Sequence, residues 1–212
     1  MNRVIRIVSD LRAFTKGEAV LKEEVSLADT VENARRLLAG ELKGITFNVE
    51  VPESHRVGGN ANQLCQVMVN LIQNSAQALE GARERGIEPW ITVSSTRSGE
   101  DYVEIKVQDN GPGIAAEDLD HVFDPFFTKK EVGAGMGLGL SICHRIIESH
   151  NGRIEVESEP GRPTVFSVII PQPWQGEMDT EEPSLSAGRS EGESLLHEAE
   201  VDTADLQQAW EK

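Results

Sequence analysis

Asn70 and Asn74 stand four residues apart in the string Asn70-Leu-Ile-Gln-Asn74, inside a largely apolar stretch. On a helix that spacing puts both amides on one face. Amides in apolar surroundings carry a desolvation cost unless they are bonded. Two readings stay open: the pair caps neighbouring loops, or it faces a nucleotide with one amide oxygen holding Mg²⁺.

A second cluster, Asp109-Asn-Gly-Pro-Gly113, follows a strand-like run ending at Val107. Such a string makes a turn by default. An Asp at a strand end also offers an acceptor for an exocyclic amine, and glycines let backbone approach a flat ring closely. Next comes Phe123-Asp-Pro-Phe-Phe-Thr-Lys-Lys130, with three aromatics in one short stretch. It reads either as a hydrophobic patch under a loop or as the anchor of a mobile one. Last, Gly133-Ala-Gly-Met-Gly-Leu-Gly-Leu140 opens into a helix-like run from Ile142. Backbone N–H groups of such a loop, with a helix N-terminus behind them, suit a phosphate chain. The loop is neither a P-loop nor a dinucleotide-binding glycine pattern directly after a strand.

Order and spacing say more than any one cluster. NLIQNSAQAL, DNGPGI, FDPFFTKK and GMGLGLSI resemble the N box, first glycine box, F box and second glycine box of bacterial sensor histidine kinases. The resemblance covers roughly residues 20–170. It implies a Bergerat-type ATP fold, shared with the ATPase modules of gyrase, MutL and Hsp90-like proteins, with a mobile lid over the nucleotide. It further implies that Asn74 coordinates Mg²⁺, with Asn70 beside it, and that Asp109 binds the adenine amine in a pocket shaped by Gly111 and Gly113. Gly135, Gly137, Leu138 and Gly139 would offer backbone to the phosphates, and Lys130 (or its neighbour Lys129) would neutralise their charge. Gln77 stands where many members carry Lys or Arg.

Elements must position these groups. Ile45, Phe47, Val49 and Val51 alternate with polar residues, which predicts a strand with one buried face. Asp29 or Thr30 is the expected cap of a helix running to Gly40. Residues 60–79 predict a long helix with Leu64, Val67, Met68, Leu71, Ile72, Ala76 and Leu79 inward. Trp90 to Thr96, Tyr102 to Val107, Arg153 to Glu157 and Thr164 to Ile170 predict four strands, and Ile142 to Ser149 a helix closed by Asn151-Gly152. The expected fold is α+β, a two-layer sandwich of a mixed β-sheet with helices on one face. Residues 1–17 carry helical spacing at Val4, Ile5, Val8 and Leu11 and resemble the second arm of a dimerisation hairpin. Residues 18–171 form the expected ATP-binding domain, and 172–212 an acidic, largely disordered tail or linker.

The net charge of −16, without a basic block, argues against a nucleic-acid partner. No apolar run is long enough to cross a bilayer, and the N-terminus lacks the pattern of a signal peptide. Cys65 and Cys143 have no metal-ligand spacing and read as buried, reduced thiols. A cytoplasmic location is expected, with a parent protein that is either soluble or membrane-anchored.

In the family, ATP phosphorylates a histidine on the first helix of the hairpin, and the phosphoryl group passes to a response regulator. None of His55, His121, His144, His150 and His197 has that sequence context. The acceptor helix is expected to lie before residue 1 or on another molecule, and the full-length parent to be a homodimer. His144 and His150 are expected on a helix surface near the lid. The expected function is phosphoryl transfer from ATP to histidine. The alternatives are an ATPase or serine kinase on the same fold, or a non-catalytic nucleotide-binding module.

Overall fold

A computed structural model describes residues 23–129 and 136–173 of the chain. The proposed dimerisation arm, the acidic tail beyond Pro173, and Lys130, Gly133 and Gly135 lie outside the described residues. The elements are β1 (Glu23–Ser26), α1 (Leu27–Leu37), β2 (Thr46–Glu50), β3 (Arg56–Gly59), α2 (Ala61–Ala78), β4 (Trp90–Ser98), β5 (Tyr102–Asp109), α3 (Ala116–Leu119), α4 (Gly139–Ser149), β6 (Arg153–Glu157) and β7 (Thr164–Pro171).

Five strands form one sheet in the order β2-β4-β5-β7-β6, and β1 pairs with β3 in a separate antiparallel ribbon. Only β2 and β4 run parallel. Parallel neighbours need a crossover, and β3 and α2 lie in this one. The sheet is therefore mixed and the architecture α+β, as the sequence implies.

Alternation along β5 buries Val103, Ile105 and Val107, the side facing the helices. All seven apolar positions expected inward on residues 60–79 are buried. Leu71 and Ile72 share that core with Ile91 and Val93 of β4 and with Phe166 and Val168 of β7. Asn60 caps α2, accepting from the N–H groups of Asn62 and Gln63 at 3.0 and 3.1 Å.

Three expectations change. The cap of α1 is Ser26, whose hydroxyl accepts the Asp29 N–H at 3.3 Å, so Asp29 and Thr30 lie inside the helix. That helix stops at Leu37, which is exposed, while Leu38 closes it. The alternating strand is β2, an edge strand with Phe47 only half-buried and Val49 exposed, and among the described residues no strand lies beyond it. Among the described residues no helix is long and apolar enough to cross a membrane.

Candidate functional site

The period of two that buries β5 has a chemical consequence at its last residue. Asp109 falls on the inward side after Val103, Ile105 and Val107, so a carboxylate ends the strand under the helices with 2% of its surface exposed. Ile91 and Thr164 flank it on the neighbouring strands. Ser75 on α2 donates to its Oδ2 at 2.7 Å, and the Gly111 N–H donates to its Oδ1 at 2.9 Å. Burial pushes the Asp109 carboxyl above the ordinary carboxylate range, and the Ser75 and Gly111 donors pull it back in part. The carboxylate is held at a fixed angle by one donor from the helix and one from the turn.

That turn is itself built onto the β6–β7 hairpin. The Pro112 carbonyl accepts the Gly161 N–H at 2.7 Å, and the Ile114 N–H donates to Ser158 Oγ at 2.9 Å. Gly113 has φ +78° between them, and a Cβ there would lie 2.0 Å from the Glu159 carbonyl oxygen. Gly113→Ala is expected to cost about 1–3 kcal/mol or more, since it adds a backbone clash to an unfavourable φ. Urea unfolding measures it, and a loss under about 0.5 kcal/mol would contradict the packing described.

Asn74 precedes Ser75 on α2. It is half-buried, and among the described residues its amide has no hydrogen-bond partner. One turn earlier, Asn70 Nδ2 donates to the Gly139 carbonyl at 3.2 Å, joining α2 to the start of α4. Helix α4 opens at Leu138, whose side chain is buried in the core and cannot cap. Leu138 thus gives the first-turn N–H groups of α4 no side-chain cap at the helix end that follows the glycine-rich stretch. Where the segment 130–135 leaves and returns, the Phe126 N–H donates to the Gly137 carbonyl at 2.9 Å.

Of the aromatic string, Phe123 is the anchor, tilted on the His144 ring at 5.6 Å and edge-on to Phe166 at 6.5 Å. Phe126 is 70% exposed and anchors nothing, and Phe127 lies against the His121 ring. Lys129 is tied to α3 through Asp118 at 2.5 Å, a pairing that raises its ammonium above the usual lysine range. Cys143 is buried, with its thiol pushed up to about 12 by desolvation, whereas Cys65 is only half-buried.

Eight of the ten expected site residues are described: Asn70, Asn74, Asp109, Gly111, Gly113, Gly137, Leu138 and Gly139. Bonds tie Asp109 to Gly111, and Asn70 to Gly139, while Asn74 adjoins the serine that holds Asp109. Sequence reading missed Ser75. Its signal was spacing, since Ser75 continues the inward row of Leu71 and Ile72 with a hydroxyl that needs a buried partner.

The family profile described as histidine kinase-, DNA gyrase B-, and HSP90-like ATPase matches residues 59–173, more than half of the chain. The chain belongs to this ATPase family. A nucleotide-free catalytic domain of histidine kinase ThkA is 32% identical, with a TM-score of 0.61, over 71% of this chain and 95% of that one. The domain is thus an ATP-binding catalytic domain of the histidine kinase type. ThkA in complex with response regulator protein TrrA is 29% identical, TM-score 0.63, over 81% of this chain and 48% of that chain. The sensor kinase CckA of Brucella abortus is 36% identical over 81% of this chain and 19% of its own length. The histidine kinase/phosphatase NtrB of Rhizobium leguminosarum is 32% identical over 89% of this chain. The chain spans about half, 51%, of NtrB.

Proposed function

We propose that this chain binds Mg²⁺–ATP between α2, the end of β5 and the start of α4, and serves phosphoryl transfer to a histidine in a two-component phosphorelay. The observation that carries the reading is the buried Asp109 carboxylate, held by Ser75 and Gly111 beside an unengaged Asn74 amide. In this reading Asp109 accepts the adenine amine, and Gly111 and Gly113 shape the edge of the base pocket. Asn74 gives Mg²⁺ its side-chain oxygen. A single protein ligand fits Mg²⁺, which takes most of its remaining ligands from phosphates and water. Asn70 keeps Gly139 in place, and backbone N–H groups at Gly135, Gly137, Leu138 and Gly139 meet the phosphates. Lys130 is the cation assigned to them, since Lys129 is engaged by Asp118.

Bound Mg²⁺ would neutralise charge on the phosphates, and the chain's own part is to orient them and exclude water. The domain spans residues 18–171 in this reading and works in the cytoplasm of a homodimeric parent, with a response regulator as partner. The solved ThkA–TrrA complex supports that last assignment.

The experiment uses radiolabelled ATP. Phosphoryl transfer needs a nucleophile held in line with the γ-phosphate. Of the described histidines, His55 and His150 are buried, and the exposed His121 and His144, paired through Nδ1 with Asp124 and Glu148, lack the sequence context of a phosphoacceptor. Chain 1–212 is expected to bind Mg²⁺–ATP and to show no acid-labile self-labelling. Adding a separate hairpin with an intact phosphoacceptor motif is expected to give slow labelling of that hairpin, because no tether raises its concentration. Acid-stable phosphoserine, or strong labelling of the isolated chain, contradicts the proposal.

A further inference from the structure

His150 is the one ionisable ring fully inside the helix layer among the described residues, 1% exposed at the C-cap of α4. The sequence places it on a surface, and the structure corrects this: the ring turns inward where the helix ends. Its Nδ1 lies 2.7 Å from the Ile146 carbonyl. A carbonyl only accepts, so Nδ1 carries the proton and Nε2 a lone pair. That lone pair receives the Asn60 backbone N–H at 3.0 Å. The ring also fills the space over Gly59, where a Cβ would stand 2.5 Å from its Cδ2.

Asn60 is the cap of α2, so the ring binds the end of one helix to the start of the other. Further links join the pair, among them Cys143 Sγ to the Val67 carbonyl at 3.9 Å and Asn70 Nδ2 to the Gly139 carbonyl at 3.2 Å. Together they define an antiparallel register, 60 with 150, 67 with 143 and 70 with 139. Sliding α4 by one residue would break all three. The last link is at the nucleotide end, next to Asn74 and Ser75, and the thiol link is weak. The Asn60–His150 bond is the strong fastening at the opposite end.

We infer that His150 is a positioning residue for the nucleotide site, its unprotonated Nε2 holding α4 in register against the helix that carries Asn70 and Asn74. The inference rests on the ATP reading of that site. It calls for an acceptor at the Nε2 position, and bulk alone does not suffice.

His150→Leu keeps bulk and removes the acceptor, while His150→Gln reaches the same place with an amide oxygen. Calorimetric titration of the full chain with Mg²⁺–ATP, alongside thermal unfolding, is the test. His150→Leu is expected to weaken binding on the order of tenfold, the effect of one partly buried donor left unpaired, and His150→Gln to restore it to within about threefold. ¹⁵N imidazole spectra of the wild type should show the proton on Nδ1. A leucine variant with a lower Tm but wild-type ATP affinity would reduce His150 to a stabilising residue and overturn the inference. A proton found on Nε2 overturns it as well. Should His150→Leu fail to fold, a glutamine variant with fully native stability and tenfold weaker binding would also sink it. Wild-type protein that binds no Mg²⁺–ATP defeats the nucleotide reading itself, a result distinct from the others.

Discussion

Asn74→Ala is expected to weaken Mg²⁺-dependent ATP binding by about a hundredfold or more, because partners one shell further from a metal already contribute ten- to a hundredfold. The fold should survive. Asn74 is half-buried and bonds to nothing among the described residues, so its loss orphans no group there. Alanine is also the better helix former, by about half a kcal/mol. A Tm at or slightly above the wild-type value, together with lost Mg²⁺–ATP binding, separates a ligand from a structural residue. Asn74→Asp keeps the oxygen and adds a charge, so it should retain Mg²⁺ affinity that alanine lacks. An alanine variant that binds Mg²⁺–ATP like the wild type would remove Asn74 from the metal.

Asp109→Ala is expected to abolish a preference for ATP over GTP. Guanine presents a carbonyl where adenine has its amine, so the carboxylate would face another acceptor. An unpaired buried polar group costs about 1–3 kcal/mol, roughly five- to a hundredfold in affinity. Titration with both nucleotides decides it, and equal affinities in the wild type would take Asp109 out of the base pocket. Acid gives a second test. The Asp109 pKa is raised in the folded state from 3.8, so in the window above that value the native chain holds a proton that the unfolded chain has lost. Its contribution to stability therefore declines as pH rises through that window. Adenine recognition needs the ionised form, so ATP affinity should fall in acid sooner than an ordinary carboxylate would dictate. The acid limb should vanish in Asp109→Ala.

Most of the architecture was legible from the alternation in β5, the helical row in α2 and apolar runs bounded by turn residues. Alternation at Tyr102 to Val107 gave β5, the short apolar run within Thr164 to Ile170 gave β7, and the inward row of residues 60–79 gave α2 to within one residue at each end. The short pieces were not. Strands β1 and β3 hold four residues each, too few for a pattern, and exist because they pair with one another. The cap of α1 was misplaced since Ser26, Asp29 and Thr30 are all capping residues, and only backbone geometry selects Ser26.

The sequence by itself determined the family, through four short motifs whose order is informative where each one alone is ambiguous. It also determined that Asn70 and Asn74 share a helix face and that Asp109 closely follows a strand read to Val107, since local spacing sets both, and the structure carries that strand through Asp109 itself. Only the tertiary structure decided what meets what. That Ser75 holds Asp109 depends on where α2 crosses β5, thirty-four residues away in sequence. That His150 is buried depends on Gly59 leaving room for its ring, ninety residues from the amide it binds at Asn60. Such contacts depend on the docking of whole elements, and no periodicity within one element carries the position of another.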